Sequence, residues 1–364
     1  MKNRLICGII IILLSAITIY AQIETDFIKL DTKSSTNLTF KNLRLFPVFA
    51  ENKYIQRNSM TGKYITLKEA LEKGLVKISE KIIPRDSTMG NMVPGELMNR
   101  PNREMEARIN PPSISQDSNY IQNQIQIAET GYGGQVNTLV IENLSKDTVF
   151  LMAGDVVKGG KQDRIIGKDV LILPGSKDID LSVFCVEKGR WRVGDDSTHE
   201  FKGYYNVVSN AVRSTVQNDA NQSKVWSKVD EITAQNKAGS TTSTYTALEK
   251  SEDFVKQNEE YVKYFENQFE SSTNVVGFIA CTGDSVLGTD IFCNPELFRK
   301  QYKTLIHSYI TDAISFGKKV DIKIVKVENY FKEIIKKFTN ELPKEEENKL
   351  KFKNQNEIIH FYNQ

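Results

Sequence analysis

The stretch GDVVKGGKQDRIIGKDVLILPGSKDIDLSVFCVEKGRW, residues 154–191, decides how this chain can fold. Apolar runs such as Val170–Leu173 and Ile179–Val186 alternate with turns rich in glycine and charged residues, which is typical of antiparallel strands. Two polar clusters, Gly154–Arg164 and Glu187–Trp191, interrupt these runs. An unpaired buried polar group costs roughly 2–7 kcal/mol, so the clusters must be solvated or specifically paired. The stretch therefore predicts a β-rich core with a site at its polar turns.

Strand signals continue outward toward the N-terminus. Leu43–Phe49 predicts a strand, and Pro47 indicates that it lies at a sheet edge. The runs Asn137–Ile141 and Thr148–Met152 predict one hairpin, and the runs on either side of Pro174-Gly175-Ser176 predict another.

Helical signals dominate the C-terminal half. Apolar spacing and capping residues predict helices over 67–73, 207–216, 224–233, 245–269 and 295–316. The sequence therefore predicts an α+β fold, with an antiparallel β-rich core and helices packed mainly from the C-terminal half.

The domain organisation follows from shifts in composition. Residues 1–21 are predicted to be a signal peptide, and 22–37 a disordered linker. A single α+β domain is expected over 38–326, with an inserted proline-rich loop at 81–120. Residues 327–364 are expected to form a charged C-terminal tail.

The N-terminus predicts export. Lys2 and Arg4 precede the apolar run Leu5–Ile17, and Ala21 is the expected end of the leader. The run is short for a bilayer span, so no stable membrane span is expected after cleavage; an uncleaved single-pass anchor is the alternative. A periplasmic or secreted location is therefore expected.

Charge balance argues against a nucleic-acid partner. Cleavage removes two of the 48 basic residues and none of the 46 acidic ones, which leaves a mature chain of about zero net charge. Nucleic-acid binding is expected to leave a basic footprint, and this chain provides none at the level of composition.

Cysteine and histidine patterns give no metal or cofactor motif. Cys185, Cys281 and Cys293 remain after cleavage, and an odd number cannot be fully paired within one chain. Cys281 and Cys293 could form a disulfide; the alternative is three buried thiols. No spacing typical of zinc and no nucleophile elbow occurs, so neither a metal nor a cofactor is predicted.

The first polar cluster favours an anion site. It lacks the first glycine of a phosphate-binding Walker sequence, and Gln162 stands where that pattern needs a hydroxyl residue. Gly159 and Gly160 would allow close backbone approach, while Lys161 and Arg164 would neutralise a phosphate or carboxylate, with Gln162 as a further contact. The alternative is a glycine-rich turn with solvated charges.

The second cluster supplies an aromatic face and a carboxylate. Trp191 beside Arg190 suits a ring or a cation, and Glu187 with Asp155 would supply paired carboxylates for acid–base catalysis. In the alternative interpretation, Trp191 fills the core and Glu187 pairs with an arginine.

The order of motifs resembles a known family. GGQVNTLVIENLSKDTVFLMAGD, GGKQDR, LPGSK and CVEKGRW are followed by SNAVRSTVQNDANQSKVW, VVGFIACTGDSVLGTDIF and LFRKQYKTLIHSYITDAI. This order resembles the bacterial family named for its association with ADP-ribosylglycohydrolase and rhodanese-phosphatase proteins, over most of residues 40–316. Asp155 stands where the family usually has glutamate, and Asp163 where it usually has asparagine. The resemblance implies a link to ADP-ribose metabolism by association, which by itself supplies no activity.

Three functional hypotheses follow. The leading one is an exported protein that binds a small anionic, ribose-phosphate-like ligand. The alternatives are a hydrolase of nucleotide-sugar or phosphoester substrates, using Asp155 or Glu187, and a structural or interaction protein of the cell envelope. The sequence leaves open whether the protein is an enzyme.

Overall fold

The computed structural model describes residues 28–59, 61, 63–82, 134–187, 199–240, 244–340, 342–355 and 357–364. The predicted signal peptide, almost all of the 81–120 insert, Arg190 and Trp191 lie outside these residues. Strands β1–β16 are Ile28–Leu30, Thr39–Phe40, Leu43–Ala50, Ile65–Thr66, Val76–Ile82, Gly134–Asn143, Val149–Leu151, Asp155–Gly159, Arg164–Ile166, Val170–Ile172, Ile179–Cys185, Glu200–Val207, Val275–Thr282, Ser285–Phe292, Lys351–Asn354 and Glu357–Asn363. Helices α1–α8 are Asn52–Arg57, Leu67–Glu72, Asn210–Asp219, Gln222–Gln235, Glu252–Phe265, Pro295–Ser315, Ile324–Thr339 and Lys344–Leu350.

The quoted stretch lies mainly in a closed barrel. Its antiparallel strands follow the order β11-β6-β5-β12-β8-β9, and β9 pairs again with β11. Alternate residues of these strands, such as Ile78, Leu139, Ile141 and Val183, form one buried cluster. This alternation is the period-2 pattern that the sequence shows, and it gives the barrel its apolar interior.

Both predicted hairpins are wrong in their pairing. β6 pairs with β11 in the barrel, whereas β7 pairs with β10 and β4 in a separate small sheet. The Asn143 side chain explains the corner between β6 and β7, because its amide donates to the carbonyls of Asp147, Ile172 and Leu173 at 2.7, 2.9 and 3.1 Å. The connection is therefore fastened to the β10 end rather than closed as a hairpin turn.

A second sheet has the order β1-β3-β13-β14-β16-β15, with β2 also paired to β3. The edge position predicted from Pro47 is wrong, since β3 lies between β1 and β13. β1 is short and ends opposite Val48, so it does not need an amide from Pro47; the Pro47 carbonyl instead accepts from the Asp31 amide at 2.9 Å.

The long helix α6 covers this sheet. Asn294 caps it by accepting the Leu297 amide at 2.9 Å, and proline occupies the first turn. Its apolar face packs on sheet residues such as Phe278 and Phe292 in the largest buried cluster. α3 begins at Asn210 rather than at the predicted 207, because β12 continues to Val207.

Two segments outside the predicted domain, the linker and the C-terminal tail, carry regular structure. Residues 28–37 contain β1 and most of a 3₁₀ turn at Ser34–Leu38. Residues 327–364 contain most of α7, then α8, β15 and β16, and β16 lies inside the sheet between β14 and β15.

The predicted fold class is confirmed. Antiparallel sheets and separate helices make an α+β fold, and α3–α8 all follow the barrel in the chain. Among the helices that the structure describes, none has both the length and the apolar character needed to cross a bilayer.

Candidate functional site

The Gly159–Arg164 turn connects β8 to β9. Gly159 and Gly160 have φ angles of 142° and 53°, where glycine is favoured. A Cβ on Gly159 would lie 2.5 Å from the Glu200 carbonyl oxygen, and one on Gly160 would lie 2.4 Å from Phe201 Cζ. The close approach that these glycines permit in the structure is therefore to β12 of the same chain.

The charged residues of this turn are buried and paired. Arg164 is fully buried, with Nη2 3.6 Å from Glu80 Oε1 and Nη1 donating to the Gln162 carbonyl at 2.7 Å. The Lys161 amide also donates to Glu80 Oε1, at 3.1 Å. Arg164 and Glu80 thus neutralise each other below the surface, and a ligand-binding role for Gly159–Arg164 stays a prediction.

The predicted carboxylate pair is not brought together. Glu187 is buried just beyond β11, where the Val186 amide donates to the carbonyl of Asp163 in the turn that follows β8 at Gly159. Asp155 begins β8 at its other end, opposite Val207. Four strand residues, about 13 Å, separate the two ends of β8.

Asp155 is buried and accepts one hydrogen bond on each carboxylate oxygen. Its Oδ1 accepts from the Tyr204 hydroxyl at 2.7 Å, and its Oδ2 accepts from the Met152 amide at 2.8 Å. Burial raises the pKa of Asp155 to about 7, although both hydrogen bonds favour the ionised form; Asp169 raises it further and Arg213 lowers it.

A chain of buried charges that no sequence motif predicts lies next to Asp155. Arg213 Nη2 donates to Asp290 Oδ1 at 2.6 Å. His360 Nε2 lies 2.8 Å from the same oxygen, and His360 Nδ1 lies 2.5 Å from Asp169 Oδ2. We call Asp169, His360, Asp290 and Arg213 the buried charge chain; all are nine-tenths or more buried.

The imidazole of His360 is charged in this arrangement. Each ring nitrogen faces a carboxylate oxygen, so both must carry protons to avoid placing a lone pair against a negative charge. Burial lowers the pKa of His360, but Asp169 and Asp290 outweigh burial and raise it. Arg213 and His360 likewise hold the pKa of Asp290 below its usual range despite its burial.

The buried charge chain joins the barrel to the sheet. Asp169 lies between β9 and β10, and its Oδ1 accepts from the Ala153 amide at 2.7 Å. Arg213 lies on α3, with its guanidinium 4.1 Å from the centre of the Tyr362 ring. Asp290 and His360 lie on the neighbouring strands β14 and β16. A sequence signal exists in retrospect, since Asp290 and His360 each interrupt an apolar strand.

A cavity of about 510 Å³ opens beside this chain. His360, Asp169 and Tyr362 line it together with Lys168 and Gln217. Further charged residues of the lining lie on α8 and β15: Glu347, Lys349, Lys351 and Lys353.

Positive charge exceeds negative charge around this cavity. Its lysines and the His360 imidazolium outnumber its two carboxylates, Asp169 and Glu347. Glu347 pairs with Lys351 at 3.3 Å and with Lys353 at 2.6 Å. Lys168 is exposed and makes no ion pair with any residue that the structure describes. The Gln217 Oε1 atom is buried and accepts no hydrogen bond from the described residues.

Within the described ranges, no group of histidine, cysteine, aspartate and glutamate side chains is arranged to hold a metal ion. Cys185, Cys281 and Cys293 are free and buried, so the structure has the thiol alternative rather than a Cys281–Cys293 disulfide. Burial raises the pKa of the Cys281 and Cys293 thiols to about 12. Neither thiol is therefore an activated nucleophile at neutral pH.

The fold and this site define an α+β domain in which a barrel and a sheet share one buried ionic network. Residues 102–360 match the family described as the ARG and Rhodanese-Phosphatase-superfamily-associated Protein (ARPP-1) domain. This match covers well over half of the chain, and the protein belongs to that family, as its motifs predict. The resemblance was predicted over most of residues 40–316, whereas the matched range begins at 102 and ends at His360. The match therefore includes the whole buried charge chain. No curated protein and no solved structure matches the chain.

Proposed function

We propose that this protein binds a small anionic ligand in the cavity beside His360. The observation that carries the proposal is the excess of lysine and imidazolium charge around a cavity of about 510 Å³. That volume suits a small molecule, and a concave site with a few fixed polar groups is the usual form of a ligand pocket.

Lys168 is the residue expected to contact the anion directly. The other lysines of the lining have acidic neighbours: Lys351 and Lys353 pair with Glu347, and Lys349 pairs with Glu345 at 3.3 Å. His360 uses both ring nitrogens within the buried charge chain, so it acts through its charge rather than as a donor. An anion held by Lys168 also lies in a partly enclosed space, where electrostatic attraction is stronger than in open water.

This proposal keeps the ligand class predicted from the sequence and places the ligand elsewhere. The Gly159–Arg164 turn is the competing location, and its pairing with Glu80 favours a role in locking the barrel. Hydrolysis by Asp155 and Glu187 acting together gains no support from their positions, since Asp155 begins β8 and Glu187 lies beside the turn that follows the other end of β8.

Titration calorimetry with matched variants tests the location. The purified protein is titrated with inorganic phosphate, ribose 5-phosphate and ADP-ribose. Lys168→Ala is expected to weaken binding at least tenfold, while Lys177→Ala, on the exposed β10–β11 connection, leaves it unchanged. Loss of binding in Lys161→Ala alone would instead place the ligand at the turn that the sequence predicts. Absence of binding to all three compounds would favour the envelope interaction hypothesis.

Export is a separate part of the proposal, supported by the basic start and apolar run of residues 1–21. Mass spectrometry of the protein isolated from its host is expected to show a chain that begins at Gln22. Recovery of the intact N-terminus would contradict cleavage at that position.

A further inference from the structure

A basic, apolar surface lies where α6 is joined to α7. Ile324 and Val325, in the first turn of α7, are 45% and 57% exposed. Four exposed lysines accompany them along this short stretch: Lys318, Lys319, Lys323 and Lys326. We call these six residues the α7 surface.

The backbone of this surface is held in place. The Gly283 amide donates to the Lys318 carbonyl at 3.0 Å, and the Asp321 amide donates to the Gly283 carbonyl at 2.8 Å. Ile322 and Val327, on either side of the exposed pair, are buried in a cluster with sheet residues. The exposed apolar side chains are therefore presented on an ordered support, so docking them would cost little backbone entropy.

Charge distinguishes this surface from the other exposed apolar positions. Leu144 and Leu173 are also strongly exposed, and Asn143 bonds to the Leu173 carbonyl. Their connections carry both signs of charge: Lys146, Lys177, Asp147 and Asp178. The α7 surface instead has four lysines close to three acidic residues, Asp284, Asp321 and Glu328, so its net charge is positive. Lys326 reaches the Asp284 carbonyl at 2.5 Å, which places it at the β13–β14 turn beside the apolar pair.

We propose that the α7 surface docks onto a lipid bilayer that contains anionic headgroups. Lysines at a membrane surface are attracted to such lipids, and each one raises the partition coefficient of the protein onto the membrane about fivefold. Short aliphatic side chains enter the boundary between headgroups and acyl chains without needing a complementary protein pocket. The combination of net positive charge with two exposed aliphatic side chains fits this occupant, and the proposal does not depend on the anion cavity.

Vesicle co-sedimentation tests the proposal with the protein as isolated from its host. Binding is expected to vesicles of mixed phosphatidylglycerol and phosphatidylcholine, to fall with added salt, and to be weak on phosphatidylcholine alone. The double variant Lys318→Gln/Lys323→Gln should lower the partition coefficient about 25-fold. Ile324→Ser/Val325→Ser should lower it at least tenfold.

Leu144→Ser/Leu173→Ser is the matched control, since it removes equally exposed apolar side chains from a surface of mixed charge. It should bind vesicles like the unchanged protein. All variants should keep the same melting temperature, because the substituted side chains are exposed. The proposal is overturned if the unchanged protein does not sediment with the anionic vesicles, or if the α7 variants bind as well as the control. It is also overturned if light scattering shows a dimer that Ile324→Ser/Val325→Ser abolishes, since a second copy would then cover this surface.

Discussion

Replacing Asp155 by asparagine is expected to stabilise the protein increasingly as the pH rises. Burial raises the pKa of Asp155 from 3.8 to about 7 in the folded protein. Between those values the folded state holds the proton more tightly than the unfolded chain does, so this group lowers stability as the pH increases. The loss is about 1.4 kcal/mol per pH unit and reaches about 4 kcal/mol above pH 7.

Asparagine preserves the contacts of Asp155 without its charge. Its Oδ1 would accept from the Met152 amide, and its Nδ2 would donate to the Tyr204 hydroxyl, which rotates to accept. The variant therefore removes the pH-dependent cost while it keeps the hydrogen-bonded geometry. The expected gain relative to the unchanged protein grows by about 3 kcal/mol between about pH 5 and about pH 8.

Urea unfolding of both proteins at several pH values measures this difference. Comparison with the unchanged protein is necessary because His360 also titrates. Its raised pKa contributes stability that is fully present below its unfolded pKa and is lost as the pH rises through the folded pKa. That contribution is common to both proteins and cancels. Asp321→Asn, which removes an exposed carboxylate, is the matched control for the loss of one charge. A difference for Asp155→Asn that does not grow between about pH 5 and about pH 8, or that Asp321→Asn reproduces, would refute this prediction.

Three further substitutions test the fold. Arg213→Met should lower the free energy of unfolding in urea by about 3–5 kcal/mol, because the buried charge chain then holds two carboxylates, Asp169 and Asp290, with one cation, His360; a loss below about 1 kcal/mol would show that the Arg213–Asp290 pair is unimportant. Asn143→Ala should lower the free energy of unfolding by about 1–3 kcal/mol, because the Ile172 carbonyl loses its side-chain donor. Hydrogen exchange of the backbone amides around the β6–β7 corner should become faster; unchanged exchange would count against this role of Asn143. His360→Gln should lower the melting temperature more at about pH 6 than at about pH 9, because the imidazolium is present only below its folded pKa; equal losses would contradict a charged His360.

Local features of this fold were predictable because their causes lie close together in the chain. Asn294 and Pro295 define the start of α6, and its apolar spacing carries the helix to Ser315, within one residue of the predicted end. Thr66 caps α2 by accepting the Glu69 amide at 3.1 Å, and the Thr-x-x-Glu pattern of residues 66–69 is the sequence signature of such a cap.

Strand pairing was not predictable from the same signals. Four similar apolar runs occur between residues 134 and 185, and each could pair with its neighbour in sequence. The deciding contacts join Asn143 to Ile172 and Leu173, about thirty residues further along the chain. The pattern of apolar residues contains no information about those bonds.

For the candidate site, the need of buried polar residues for partners was predictable, but the identity of those partners was not. A rule that buried polar residues need partners directs attention to Gly159–Arg164, and there the partner is Glu80, on a strand that precedes the long insert. The same rule applied to strands would have singled out Asp290 and His360, but it could not have shown that Arg213 and Asp169 meet them. Their separation in sequence exceeds any motif spacing, so only the fold assembles the buried charge chain.

The position of Lys168 connects the cavity to the packing of the C-terminal strand. Asp169, its neighbour, is fixed by His360 on β16 and by the Ala153 amide. His360 and Tyr362 of β16 also line the cavity, so the cavity is complete only while β16 lies in the sheet. An anion that binds through Lys168 binds the folded arrangement and not one in which β16 has separated. By linkage, such a ligand must stabilise the attachment of β16, by about 2.7 kcal/mol at a hundredfold excess over its dissociation constant. Protection of the β16 amides from exchange would thus report occupancy of the cavity even for a ligand with no measurable turnover.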